Sequence, residues 1–165
     1  MKCMDNIAEN DYAIPETVFK RYADMVYRLA FVRTGNRSDS DDILQEVFLR
    51  YMKVWQKMKS EEHIKATLIR ITVNCSNSLF SSAWFKKTAP LDENISVRDN
   101  NTTENTLSEV LKLPLKYRTV IHLYYYMGYS VAEIADLTKT NPSTVKTRLS
   151  RAREQLKKTL KEEEL

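Results

Sequence analysis

Residues 141–158 read NPSTVKTRLSRAREQLKK, six Lys or Arg against one Glu. Cations interleaved with Ser and Thr can do one kind of chemistry well. Ammonium and guanidinium groups neutralise phosphates, while hydroxyls and guanidinium forks hydrogen-bond phosphate oxygens and base edges. The geometry decides whether the charge is aimed. At about 100° per residue, Val145, Leu149, Ala152, Leu156 and Leu160 cluster within about 80° and form a core side. The opposite side carries Ser143, Thr147, Ser150, Arg151 and Lys158, with Thr144, Lys146, Arg148 and Arg153 towards the flanks. Lys146, Arg148, Arg151, Arg153 and Lys157 are candidates for phosphate contact, and Ser143, Thr144, Thr147 and Arg151 for base discrimination. The bland alternative is a solvated basic helix on any helical protein.

The preceding residues weigh against that alternative. Ser130-Val131-Ala132-Glu133 is a capping box leading into Ile134, Ala135 and Leu137. Asn141-Pro142 is an N-cap followed by proline at the first helical position. A short capped helix, a tight connection over Thr138–Asn141 and a longer basic helix make a helix-turn-helix, with small Ala135 where the two approach. The second helix of such a motif enters the major groove, N-terminal residues first.

Upstream, Pro15 opens a helix bearing Val18, Tyr22, Met25, Val26, Leu29 and Ala30 at helical spacing, and Gly35 stops it. Asp39-Ser40-Asp41-Asp42 suits the start of a second helix, about Asp41–Lys57, with Ile43, Val47, Tyr51, Val54 and Met58 on one face and Leu44, Phe48 and Trp55 widening it. A third, about Glu62–Ser82, turns Ile64, Leu68, Ile71, Cys75 and Leu79 inward. Residues 86–104 are polar and aperiodic and are expected to be a flexible linker. A short helix follows over about 105–112. Pro114 starts another, with Val120, Ile121, Leu123 and Tyr124 inside, ending at Gly128. The expectation is an all-α chain of two small helical domains, 1–85 and 105–165.

Composition sets limits. With two glycines and four prolines in 165 residues, a turn-rich sheet protein is improbable, and 42% hydrophobic residues suffice for a core. The net charge of +4 proves nothing about nucleic acid by itself. Cys3 and Cys75 lack metal-type spacing, so a reduced chain is expected, with no metal and no cofactor. The start, MKCMDNIAENDYAIPE, does not read as a signal peptide, and no apolar run is long enough to cross a bilayer. Glu133, His63 and His122 form no catalytic or metal cluster, so no enzyme is expected. His122, between Ile121 and Leu123, reads as a domain residue, and Tyr124-Tyr125-Tyr126 as core and domain surface.

YYYMGYSVAEIADLTKTNPSTVKTRLSRAREQLKKTL resembles the C-terminal domain of bacterial RNA polymerase sigma factors of the extracytoplasmic-function (ECF) group, within the sigma-70 family. VYRLAFVRTGNRSDSDDILQEVFLRYMKVW and EHIKATLIRITVNCSNSL resemble that group's other conserved region. The resemblance implies a cytoplasmic bacterial specificity subunit. It would bind core RNA polymerase, read the −35 element with Ser143, Thr144, Lys146, Thr147, Arg148, Ser150, Arg151, Arg153 and Lys157, and help melt the −10 element. It also implies an anti-sigma factor as a possible partner. On the second helix, Leu49 stands apolar among Asp42, Gln45, Glu46, Lys53 and Gln56. That is how a docking surface reads, although a lone exposed Leu is often nothing. The resemblance makes it the seat of the polymerase clamp helices. On the third helix Arg70, Asn74, Asn77 and Ser81 face away from the core, where Arg and Asn can meet unpaired bases. The resemblance adds the preceding loop, residues 57–63 with His63, as the pocket for a flipped base, and Lys65 as a further contact to the single strand. Trp84, Lys86 and Lys87 could stack on and neutralise single-stranded DNA.

Departures from the family pattern fall at Thr67, where tryptophan is frequent, at Phe80-Ser81, where a basic residue is frequent, at Asn77, where acid is common, and at Lys139, which replaces a frequent glycine. Two rivals stand beside the sigma reading. One is an autonomous dimeric helix-turn-helix regulator with residues 1–85 for dimerisation; the other is an interaction module that never touches DNA.

Overall fold

The computed structural model describes residues 8–82 and 101–163, with side chains from 11 to 82 and from 106 to 162. Cys3, Trp84, Lys86, Lys87 and the expected linker residues 86–100 lie outside the described residues. The architecture is all-α: α1 Pro15–Thr34, α2 Arg37–Tyr51, α3 Glu61–Ser81, α4 Asn101–Lys112, α5 Leu115–Ile121, α6 Val131–Thr138 and α7 Pro142–Glu163. Short 3-10 turns cover Ala8–Ala13 and Trp55–Lys57, and a π-helical turn covers His122–Tyr126. Contacts divide the chain into two compact units, Met1–Phe31 with Arg37–Ala89, and Val32–Asn36 with Pro90–Leu165.

In the first unit the core draws Val18, Tyr22, Val26 and Ala30 from α1, Ile43, Val47, Phe48 and Tyr51 from α2, and Ile64, Leu68 and Cys75 from α3. Pro15 begins α1 and Gly35 follows it at φ 66°, a left-handed turn that a side chain would strain. The sequence spacing placed α2 too late at both ends. It starts at Arg37 and finishes at Tyr51. There the bonding pattern tightens: Lys53 N–H reaches the Arg50 carbonyl at 3.1 Å and Val54 N–H the Tyr51 carbonyl at 2.9 Å, three residues back instead of four. Tyr51 fixes this end, because its buried hydroxyl donates to the Ala13 carbonyl at 2.8 Å. Burial, with Tyr12 and Tyr22 nearby, pushes that phenol up to about 12.

Ser60 caps α3, its hydroxyl accepting from the His63 N–H. The buried arc of α3 is wider than the expected stripe. Ile71 and Leu79 are half-buried, while Ile69, Thr72, Val73 and Ser76 are buried. Thr72 and Ser76 tolerate this because their hydroxyls donate back to helix carbonyls, Thr72 to Leu68 at 2.7 Å and Ser76 to Thr72 at 3.0 Å.

In the second unit α4 begins at Asn101, so residues 101–104, expected as linker, are helical. A polar turn extends the amphipathic pattern of Leu107, Val110 and Leu111 towards the N-terminus. Buried Arg118 donates from Nη1 to the Leu111 carbonyl at 2.9 Å, and burial lowers its pKa. The π turn widens where three tyrosines follow one another: Met127 N–H reaches back five residues to the His122 carbonyl. His122 is buried and stacks on Tyr126, centroids 4.9 Å apart; Tyr125 and Tyr126 are exposed. α4, α5 and α6 all pack on α7 through Val145, Leu149 and Ala152. The expected core stripe of α7 ends early: Leu156 is half-buried and Leu160 is 44% exposed. The helix outruns the three helices that cover it.

Two stability effects follow. Leu68→Ala, at a fully buried position, should cost about 3 kcal/mol in denaturant unfolding. Glu133 accepts from the Ser130 backbone N–H at 2.7 Å, and that bond, followed by the Ser130 hydroxyl, holds its carboxyl below the usual 4.5. A depressed folded value means the contribution is complete above pH 4.5 and is lost as pH falls through the folded value. Glu133→Gln should therefore melt lower than the parent at pH 7, with the gap closing towards pH 3.

Candidate nucleic-acid interface

The capping box of α6 forms in full: Ser130 N–H to Glu133 Oε2 at 2.7 Å, and Glu133 N–H to Ser130 Oγ at 3.2 Å. Its C-terminus closes with the paired bonds of a Schellman motif. Thr140 N–H reaches the Ala135 carbonyl at 2.9 Å and Lys139 N–H the Asp136 carbonyl at 3.4 Å, around Lys139 at φ 53°, ψ 44°. Thr138 Oγ1 donates to the Ile134 carbonyl and lies 3.1 Å from Thr140 Oγ1. Asn141 Oδ1 then accepts from Thr144 N–H at 2.7 Å and α7 begins. Three residues, 139–141, thus turn the chain between two helices with their end groups largely satisfied.

Ser143, Lys146, Thr147, Ser150, Arg151 and Lys157 are all exposed on α7. Thr144 and Arg148 are half-buried on the flank nearest the core. Thr147 turns its hydroxyl back to the Ser143 carbonyl at 3.0 Å. Arg153 is committed within the unit: its Nε donates to the Tyr125 hydroxyl at 2.5 Å, and its guanidinium lies 5.5 Å from the Tyr125 ring centroid and 5.9 Å from that of Tyr124. It ties α7 to the π turn, a role that periodicity could not reveal because the partner lies 28 residues away. Further along, Glu154 pairs with Lys158 at 3.5 Å and dilutes the positive charge.

In the first unit, His63, Arg70, Asn74, Asn77 and Ser81 follow one line along α3, within about 60° of one another and over roughly 27 Å at 1.5 Å per residue. Asn74 and Asn77 are exposed; His63 and Arg70 are half-buried. The Ser81 hydroxyl is turned onto the Ser78 carbonyl. His63 Nδ1 accepts from the Lys59 N–H at 3.3 Å, which fixes the ring at the head of the helix. Lys65 does not join them. It lies on another side of α3, with its ammonium 5.9 Å from the Tyr22 ring centroid. Thr67 falls on the same side as the line, half-buried.

On α2, Asp42 and Gln45 are exposed around Leu49, which is 57% exposed, and Glu46 pairs with Arg50 at 2.6 Å. Lys53 and Gln56 lie past the end of the helix, so the wheel that grouped them with Leu49 does not apply to them. The sequence reading missed Met52, which is 58% exposed beside Leu49. Its signal was present: three residues after Leu49, it too falls off the core arc. Cys75, by contrast, is buried, and its thiol pKa is raised by burial, with Arg50 and Glu46 nearby.

Residues 18–85 match the family described as Sigma-70 region 2, and residues 104–156 match Sigma-70, region 4. Among similar proteins, RNA polymerase sigma factor SigV of Bacillus subtilis is 30% identical over 145 residues, covering 84% of this chain and 86% of its own. ECF RNA polymerase sigma factor SigW of the same organism is 29% identical, covering 86% of each. SigM of Mycobacterium tuberculosis, also an ECF RNA polymerase sigma factor, is 28% identical over 94% of this chain and 81% of its own. The fold matches sigma factor RpoE of Bartonella quintana, solved with the anti-sigma factor NepR, at a TM-score of 0.76 with 17% identity over 88% of this chain and 96% of that one. It also matches CnrH, solved with the cytosolic domain of CnrY, at 0.65 with 22% identity over 95% and 97%. An autonomous dimeric regulator would account for the helix-turn-helix alone. A matched region 2 and region 4 in this order, with relatives aligned over most of both chains, leaves that rival unfavoured, and the chain belongs to the ECF RNA polymerase sigma factors of the sigma-70 family.

Proposed function

We propose that the two units divide promoter recognition between closed and opened DNA. α7, seated by α6, lies in the major groove of the −35 element. Ser143, Thr144, Thr147 and Arg151 meet base edges, while Lys146, Arg148 and Lys157 neutralise phosphates. Arg153, held by Tyr125, braces the helix and keeps what donors remain for the backbone. The line His63, Arg70, Asn74 and Asn77 on α3 holds unpaired bases of the −10 element, as expected of amide and guanidinium groups facing Watson–Crick edges. Lys65, being off that line, contributes charge to the unit without reading bases. Leu49 and Met52, rimmed by Asp42, Gln45 and the Glu46–Arg50 pair, dock on the clamp helices of core polymerase. Trp84, Lys86 and Lys87 extend the single-strand surface.

The observation that carries this reading is the satisfied turn at residues 138–141, which presents the exposed Ser, Thr and basic face of α7 while its apolar face is covered. The chain performs no catalysis; it is a regulatory subunit that directs the polymerase to its start sites and works in the cytoplasm. No helix among the described residues is long and apolar enough to cross a membrane. The structural neighbour RpoE, solved with the anti-sigma factor NepR, supports an inhibitor as a further partner. Copurification from cells tests that point, and a chain always found alone counts against it.

Transcription in vitro with core polymerase should yield discrete start sites from random genomic fragments. Arg151→Ala should weaken the −35 preference by about 1–3 kcal/mol at the base it reads, as scored on a promoter library. Leu49→Asp with Met52→Asp should abolish copurification with core polymerase while leaving the melting temperature within a degree or two, because both side chains are already in solvent. A variant that still assembles holoenzyme would remove this face from the docking surface.

A further inference from the structure

Three described residues hold left-handed backbone: Gly35, Gly128 and Lys139. The chain has two glycines, and both sit at such positions. The third position, φ 53° and ψ 44°, strains any side chain with a β-carbon, yet it holds lysine. A cation there has an ordinary explanation, compensation of the carbonyls at the end of α6. The structure leaves little for it to do. The carbonyls of Ile134, Ala135 and Asp136 already accept from Thr138 Oγ1, Thr140 N–H and Lys139 N–H. The Lys139 side chain is exposed and makes no hydrogen bond or ion pair with another described residue.

Its location is specific. Lys139 stands three residues before α7, at the end that enters the groove. A helix about 10–12 Å across fills a major groove about 12 Å wide. Groups on the turn at its N-terminus therefore face the groove edge, where the backbone phosphates lie, and not the bases. We propose that Lys139 is a phosphate anchor, its ammonium gripping a backbone phosphate beside the entry of α7 and holding the helix in register. This rests on the reading of α6 and α7 as the duplex-binding motif. The lysine is kept at a position that the backbone alone would give to glycine, so stability and DNA affinity should respond to its replacement with opposite signs.

The test uses holoenzyme assembled from core polymerase and the full chain, with a duplex that the wild-type holoenzyme selects from random-sequence DNA. Binding is measured in the cold, before melting, from 50 to 200 mM salt. Lys139→Gly should raise the melting temperature of the free chain. It should also lower affinity about eightfold at 0.1 M salt, and cut the slope of log K against log salt by about 0.9, the value for one phosphate. Lys139→Gln should lose the same slope without the thermal gain, and Lys139→Arg should restore binding. A glycine variant with wild-type affinity and slope overturns the inference, as does one that melts lower with its slope intact, which would assign the lysine to helix capping. Lys146→Gln is the control. If it loses slope and Lys139→Gly does not, the duplex reading stands and the anchor falls. If wild-type holoenzyme selects no duplex sequence, the duplex reading itself falls.

Discussion

Two residues separate the end of α6 from the N-cap of α7, and the exposed backbone groups at that junction must find partners within that length. This constraint fixes the direction of α7. A Schellman closure uses Lys139 and Thr140, and Asn141 starts the next helix with its own side chain, so there is no slack through which α7 could swing. Val145, Leu149 and Ala152 then lock the near side of the helix against α4, α5 and α6. A rigid placement matters because bidentate readout of a base edge tolerates little positional error. Arg153 shows the same economy: a cation on the basic helix is drawn onto Tyr124 and Tyr125 and becomes part of the brace.

The first unit solves a different problem. In the proposed reading unpaired bases need a long polar surface, and α3 leaves one by burying most of its other side. Serine and threonine hydroxyls inside that side are turned onto helix carbonyls, so the burial leaves them satisfied. α2 ends where Tyr51 reaches the Ala13 carbonyl, with Leu49 on its last turn and Met52 just past its end, both exposed. Two large apolar side chains in solvent next to an ion pair are unfavourable for a lone chain and well suited to one that spends its working life against a larger partner.

Electrostatics is local in both units. The net charge of +4 is small for a protein that meets DNA twice. The first three turns of α7 concentrate it, and Glu154 with Lys158 ends the positive run. Association should therefore depend on salt through a few phosphate contacts on one face, with sequence discrimination left to uncharged donors and to Arg151.

Periodicity and caps determined the helical class, the order of elements, the buried faces of α1, α2 and α7, and the motif formed by α6 and α7. Each is a local matter of 3.6-residue spacing or of one side chain reaching three residues back, as Ser130 to Glu133 and Asn141 to Thr144 do. Asn74, Asn77 and Arg70 could be aligned from the same spacing. Helix ends were less legible: α2 stops at Tyr51 because of a bond to a residue 38 positions away, and a pattern that runs on through Val54 and Met58 does not record it. The reach of the α7 core stripe was equally hidden, since Leu156 and Leu160 have the right spacing but no neighbouring helix to cover them. The bond from Arg153 to Tyr125 and the contact of Lys65 with the Tyr22 ring were decided only when the helices packed. Such contacts join residues far apart in the chain, and local spacing carries no information about them.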